Sequence, residues 1–309
     1  MANTIALRKQ YSTLLDEVYK LSSLTSVLDG PNELVREGAN ANEILIPKMD
    51  MDGLADYAKG TGYEAGDVTL DYETKKCAYD RGRMFTVDAM DNIESAGIAF
   101  GRLAGEFLRT KVVPEIDAYR FSAYAQIPEV TTVQSDLADG KAALAAIRAA
   151  RGENENSEAN LATCYLFINP TLAGMIDDLD TTASKKAMEG FAGIVKVPQG
   201  RFYNKITLTA KQKGGFTKAS GALNMNFLIV DKNSAIQFQK HTVSKIISPD
   251  QNQTADAWKF GYRTVGIAEC KDNKKAGIYV HTVTEPWRRY CESSVLCRQG
   301  YRGYVRQCK

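Results

Sequence analysis

The sequence predicts an α+β fold in two lobes, and three observations lead there. Residues 62–88 (GYEAGDVTLDYETKKCAYDRGRMFTVD) alternate apolar and polar side chains in the manner of a β-hairpin. Residues 91–111 carry apolar side chains at helical spacing. Short apolar runs at 164–170, 193–198 and 226–231 are interleaved with helix-like segments, the pattern of a mixed α/β lobe. At 309 residues, 44% hydrophobic and 25% charged, the chain can bury a large core, and chains above roughly 250 residues usually split into more than one lobe.

From the start, Leu7, Tyr11, Leu14, Val18 and Leu21 form one apolar stripe on an N-terminal helix, which Asp29, Gly30 and Pro31 stop. Residues 31–60 mix polar patches with short apolar groups (Ile44, Leu45, Ile46, then Pro47), an extended arm with no core of its own. In the hairpin, Val68, Leu70, Tyr72 and Thr74 alternate with Thr69, Asp71, Glu73 and Lys75. Arg83, Met84, Phe85, Thr86 and Val87 form the return arm, with Lys75 and Lys76 at the tip. An isolated two-stranded ribbon is marginal in water, so this one needs a second surface to lie on. The helix that follows has Ile93, Phe100, Ala104 and Phe107 on its core stripe and Asp88, Asp91 and Glu94 at the positive end of its dipole. Gly97, Gly101 and Gly105 repeat every fourth residue, a strip suited to close helix packing. Pro114 is expected to end or kink this helix and supply a hinge.

Beyond it, residues 126–133 lead to an Ala-rich helix over 139–151, ended by Gly152 and the solvated run ENENSEAN. CYLFINP (164–170) reads as a strand broken by Pro170, TLAGMIDDL as a helix, and GIVKVP (193–198) and NFLIVD (226–231) as further strands. KQKGGFTKASGA (211–222) reads as an exposed loop. Strands at 235–247 and 258–269 and in KKAGIYVH (274–281) then return to complete the lobe begun by the long helix.

Little in the chain suggests chemistry. There are two histidines, His241 and His281, and no HExxH, GxSxG, P-loop or GxGxxG between strand and helix. The densest carboxylate group, Asp177, Asp178 and Asp180, sits where a helix gives way to a solvated turn and is assigned no site. Neither a metal site nor a cofactor is predicted. The net charge of +2 gives no general attraction to nucleic acid. Residues 283–309 carry six Lys or Arg against Glu285 and Glu292, or +4, which leaves about −2 on residues 1–282. The opening MANTIALRKQYSTLL lacks the apolar core of a secretory leader, and no run approaches the roughly 18 apolar residues of a membrane span. Cytosolic synthesis is expected, with Cys77, Cys164 and Cys270 as reduced thiols.

The order of these pieces resembles the major capsid proteins of tailed double-stranded DNA bacteriophages, which have the Hong Kong 97-like fold. The resemblance rests on ANEILIPKMDMDGLADY (41–57), DRGRMFTVDAMD (80–91), EFLRTKVVPEIDAYR (106–120), VKVPQGRF (195–202) and DNKKAGIYVH (272–281). It spans roughly nine tenths of the chain. It implies an N-terminal helix and arm (1–61), an extended β-hairpin loop (62–88), a spine helix opening a peripheral domain (89–125), an axial domain (126–240), and peripheral return strands (241–282). It also implies that Leu7, Tyr11, Leu14 and Val18 of the N-terminal segment touch neighbouring subunits. Val68, Leu70, Tyr72, Lys75, Lys76, Arg81, Arg83 and Phe85 of the loop are expected to do the same, while Ile93, Phe100 and Phe107 form the spine core. The implied protein is not an enzyme. It is a shell subunit that forms pentamers and hexamers in the host bacterial cytoplasm and resides in the virion capsid. Its partners are its own copies, a scaffolding protein, a portal, a decoration protein and packaged DNA bound without sequence specificity. The arm begins within a few residues of Met1, so the scaffold is expected to be a separate protein or a segment removed earlier.

Some capsids of this fold join a loop lysine to a neighbour's asparagine with the help of a buried carboxylate. Lys75 and Lys76 lie on that loop, but no acceptor or carboxylate matches residue by residue. Residues 283–309, with Cys291, Cys297 and Cys308 lacking CxxC spacing and with aromatics interleaved with arginines, depart from the family pattern. Two other functions stay open: the shell of a cellular nanocompartment (an encapsulin), which shares the fold, and a hydrolase using the 177–180 carboxylates.

Overall fold

The computed structural model describes residues 23–30, 36–37, 43–57, 59, 63, 65–89, 104–209 and 214–284. Its strands are β1 (Arg36–Glu37), β2 (Glu43–Met51), β3 (Val68–Lys76), β4 (Tyr79–Asp88), β5 (Thr131–Gln134), β6 (Cys164–Ile168), β7 (Gly193–Lys196), β8 (Ile206–Leu208), β9 (Phe216–Lys218), β10 (Met225–Asp231), β11 (Ala235–Ile247), β12 (Ala257–Cys270) and β13 (Ile278–Thr282). The helices are α1 (Val113–Ala125), α2 (Gly140–Asn156), α3 (Pro170–Asp177) and α4 (Thr182–Met188). The chain divides into two units, one comprising 1–29, 87–236 and 268–309 and the other 30–86 and 237–267.

The first unit is built on a five-stranded sheet in the order β5-β13-β10-β6-β7. The central strand β10 (MNFLIVD) is buried at every residue, so both faces of the sheet must be covered. On one face, Ala143, Leu144, Ile147 and Ala150 of α2 and Leu172, Ala173 and Ile176 of α3 pack with Leu166, Ile168, Phe227 and Ile229. On the other, Phe121 and Tyr124 of α1 pack with Phe167, Phe202, Leu228, Val230, Ile278 and Val280. The Phe121 ring meets Phe167 and Phe202 edge-on, each at 5.2 Å. Strands β6 and β7 are parallel, which requires the crossover that α3 and α4 provide.

Local sequence explains the helix starts. Asp139, Asn169 and Thr181 each cap a helix by accepting a backbone N–H, and Thr181 with Ser184 closes a capping box. Gly140 opens α2 because any Cβ there would run into the Met175 carbonyl of α3. Gly152 does not end α2, which continues to Asn156. The cost of a mid-helix glycine, about 1 kcal/mol, is offset by tertiary contacts. Arg151 donates to the Lys186 and Glu189 carbonyls at the end of α4, at 3.1 and 2.9 Å, and Asn154 is buried.

Pro114 also fails to break its helix. Residues 104–107 are helical, 108–112 form a π turn in which the Val113 N–H reaches the Leu108 carbonyl, and α1 continues to Ala125. The wider turn makes room for a proline ring that would clash in regular α-helix. The inserted residue rotates the buried stripe: Leu108 is fully buried, whereas Phe107, expected in the core, is half-buried. Gly105 has open space rather than a close neighbour beside it. Ile93, Phe100 and the N-terminal stripe Leu7, Tyr11, Leu14 and Val18 lie outside the described residues.

One buried polar cluster ties the segment 23–30 to α1. Asp117, with no exposed surface, accepts from Ser23 Oγ and Thr25 Oγ1, each at 2.8 Å, from the backbone N–H groups of Leu24 and Thr25, and from Arg201 at 3.3 Å. One turn on, buried Arg120 donates to Thr25 Oγ1 at 2.9 Å and pairs with Asp29 at 3.3 Å. The captured segment inserts Leu28 into the core beside α1.

The second unit contains two three-stranded sheets, β1-β2-β3 and β11-β12-β4. Strand β3 therefore pairs with β2, in register from Glu43↔Lys76 to Met51↔Val68, and not with β4 as the alternation across 62–88 suggested. The hairpin is 43–76 with its loop at 52–67; β4 follows β3 after Cys77 and Ala78 but pairs with β12 in the other sheet. Gly82 allows β4 to cross close to Tyr262 and Arg263 of β12. Strand β13, read as one of the return strands with 235–247 and 258–269, lies between β5 and β10, and 211–222 is not wholly a loop, since β9 pairs with β8.

Removing the Asp117 carboxylate leaves Arg201, Ser23, Thr25 and the Leu24 N–H without their buried acceptor. Asp117→Ala is expected to lower unfolding stability by about 3–5 kcal/mol, read from urea denaturation of the soluble chain.

Candidate assembly surface

The β2–β3 hairpin has two chemically different faces, because alternate residues of paired strands point the same way. One face stacks the pairs Leu45↔Thr74, Pro47↔Tyr72, Met49↔Leu70 and Met51↔Val68. The other carries Lys48↔Asp71, Asp50↔Thr69 and Lys75. The hairpin closes below its loop where Asp52 N–H donates to the Asp67 carbonyl and Asp67 N–H to Asp52 Oδ2, at 3.1 and 2.9 Å. Within the loop Leu54 is exposed, and the rings of Tyr57 and Tyr63 lie 5.0 Å apart.

The apolar face is open to solvent. Met49, Met51, Val68, Leu70 and Tyr72 are all exposed, whereas the large apolar side chains of the sheets' interiors, such as Phe260 and Tyr262 in β12, are buried. Val68, Leu70 and Tyr72 are thus brought onto one surface, as the alternation implied, but with the 43–51 strand beside them. Pro47, Met49 and Met51 were missed because PKMDMD was read as part of an arm. The period-2 alternation Leu45, Pro47, Met49, Met51 was the available signal. Lys75 and Lys76 stand at the open end of the hairpin opposite Ile44 and Glu43, not at its tip. Arg81, Arg83 and Phe85 occupy alternate positions of β4 and are partly buried. On the exposed alternate, the Arg263 guanidinium forks onto Asp80 and holds its carboxyl below the usual range.

The buried polar groups elsewhere do not form a working nucleophile. Ser135 Oγ lies 2.9 Å from His281 Nε2, and His281 Nδ1 lies 3.1 Å from Asn226 Nδ2, an outline that resembles a Ser-His-Asn relay. The same Asn226 Nδ2 donates to the Ser135 carbonyl at 3.2 Å, which fixes it as the amide nitrogen. His281 Nδ1 therefore accepts, its Nε2 carries the proton, and that N–H donates to Ser135. The ring cannot take the serine proton in this tautomer. Burial holds the imidazole at about 4, against an ordinary 6.5, so it stays neutral, stacked 4.7 Å from Phe227. Burial also pushes the Cys164 thiol up to about 12, which keeps it protonated. Asp177 and Asp180 are exposed and paired with Lys196 and Lys185, and among the described residues no three His, Cys, Asp or Glu side chains gather as a metal site. Among them, too, no helix is long and apolar enough to cross a membrane.

The chain is similar to the capsid of Myoviridae phage XM1 (10% identity, 85% of this chain and 92% of that chain covered, TM-score 0.53). It is similar also to the capsid of cyanophage P-SCSP1u (11%, 81% and 86%, 0.52). The chain has the Hong Kong 97-like capsid fold. A third structure with this capsid fold is a virus-like particle from Pyrococcus furiosus (15%, 87% and 96%, 0.52). No family model matches the chain, and neither does any curated protein.

A histidine kept neutral by its site destabilises the fold once it must be charged. Here the folded value lies below the unfolded one, so the stability is full above about pH 6.5 and is lost as pH falls towards 4. The loss at the low end is expected to be about 3 kcal/mol, read from urea midpoints across that range, and His281→Gln should flatten this part of the profile.

Proposed function

We propose that the chain is a structural subunit of an icosahedral bacteriophage capsid, assembling from pentamers and hexamers of itself around packaged double-stranded DNA. The observation that carries this reading is the hairpin whose ordered apolar face has no cover within its own unit, on a fold that matches phage capsids across 81–85% of the chain. A patch of that kind marks a protein interface, and in a shell the interface is supplied by another copy. Many such contacts, each weak, let misplaced subunits dissociate before the shell closes. The virion is then its location and the host cytoplasm its place of assembly, with scaffold, portal and decoration proteins as further partners. The roles of Val68, Leu70 and Tyr72 at the contact, and of the N-terminal stripe, belong to this proposal. So does the absence of catalysis, which the His281 tautomer and the lysine-paired carboxylates support.

Electron microscopy and sedimentation of the expressed chain test it. Closed shells or capsomers are expected; a monodisperse monomer at high concentration, with amides of 43–51 and 68–76 protected from exchange, would overturn it. Met49→Asp with Leu70→Asp is expected to abolish shells while leaving a folded, soluble chain, because the charges fall on an exposed face of the free subunit.

The likeness to the Pyrococcus furiosus particle favours a second reading, a cellular nanocompartment shell. Particles isolated from their natural source separate the two: packaged DNA supports the capsid, an enclosed enzyme the nanocompartment.

A further inference from the structure

We propose that Met49 and Met51 form a sulfoxidation site whose state decides whether the subunit assembles; the inference rests on the shell-subunit reading above. The two thioethers lie two residues apart on one face of β2, directly opposite Leu70 and Val68. They are 55% and 61% exposed, so in the free subunit peroxide reaches both sulfurs. Each sulfur donates a lone pair to one peroxide oxygen as the O–O bond breaks. One S–O bond forms, water leaves, sulfur is oxidised by two electrons and peroxide is reduced.

The product no longer suits the face. A sulfoxide oxygen is a strong acceptor, and its cross-strand neighbours Leu70 and Val68 have no side-chain donor to offer. Of the nearby polar side chains, Lys48, Asp50, Thr69 and Asp71 stand on the opposite face of the ribbon, and Tyr72, diagonal to Met49 on the same face, offers a single hydroxyl donor. Covering the oxidised face with a second copy of the chain would bury two sulfoxide acceptors against that one donor, and a shell repeats the penalty at every subunit. Oxidation thus holds free subunits apart, while assembly removes the same sulfurs from reach. Met84 is a control within the same unit: it is 53% exposed but lies on β4, against Gly261. Met225, fully buried in β10, is the unreactive reference.

The test uses subunits released from expressed shells, treated with hydrogen peroxide, then with a thiol reductant that restores cysteines but not sulfoxides, and returned to assembly conditions. Mass spectrometry is expected to place one oxygen on each of Met49 and Met51, with shell yield lowered about tenfold or more and restored by methionine sulfoxide reductase. The Met49→Leu, Met51→Leu double variant should assemble equally well before and after peroxide, and in intact shells Met84 should react while Met49 and Met51 do not. Normal yield from subunits oxidised at both positions would overturn the proposal. So would an equal loss of yield in the double variant, or equal oxidation of all three exposed methionines in intact shells. Failure of the untreated chain to form shells shows itself before any peroxide is added, and removes the capsid reading together with the switch.

Discussion

Burial of β10 on both faces is the constraint from which the first unit follows. A strand of seven residues, MNFLIVD, each of them buried, needs two neighbouring strands and two covering layers. Strands β13 and β6 supply the neighbours, and α2 with α3 supplies one layer. The other layer is α1, which has little amphipathic asymmetry of its own because its buried side includes Glu115, Asp117, Arg120 and Ser122 alongside Phe121 and Tyr124. Those polar groups are tolerable in a core layer because most of their capacity is met by 23–30 and Arg201. The polar latch and the apolar sandwich are therefore one arrangement, in which the segment that satisfies Asp117 also delivers Leu28 to the core.

The second unit has the opposite economy. Its β11-β12-β4 sheet buries Tyr79, Phe260, Tyr262, Val265 and Ile267, yet the β2–β3 ribbon keeps its apolar face in water. The ribbon is held in register by a long ladder, the Asp52–Asp67 closure and cross-strand pairs of matched character, so that the exposed face is ordered before anything covers it. Preorganisation of this kind lowers the entropy cost of each contact in a large assembly. It also places two oxidisable sulfurs, those of Met49 and Met51, on that exposed face.

The chemistry of the interior points the same way. His281 and Cys164 are groups that catalysis often uses, but burial suppresses the charged form of each, and the His281 ring is committed to holding β5 and β10 to β13 through Ser135 and Asn226. Buried polar side chains here specify strand neighbours.

Much of this was legible in the residues. The strands at 164–168, 193–196, 225–231, 235–247, 257–270 and 278–282 and the order of these elements follow from periodicity, which is a local property. Strand partners did not follow, because alternation says which residues share a face and is silent on which strand lies beside them. Hence β3 was matched with β4 rather than β2, and nothing in the pattern marked β5 and β10 as the neighbours of β13. The α4 helix was also missed, though Thr181 and Ser184 at capping-box spacing announced its start. Pro114 and Gly152 misled for a related reason: each carries a local penalty of a few kcal/mol or less, and packing of the surrounding helix outweighs it. Local pattern thus determined which segments are helix or strand and which side of each is apolar. Tertiary structure alone decided which of those apolar sides are covered and which one, the Met49–Leu70 face, stays in water.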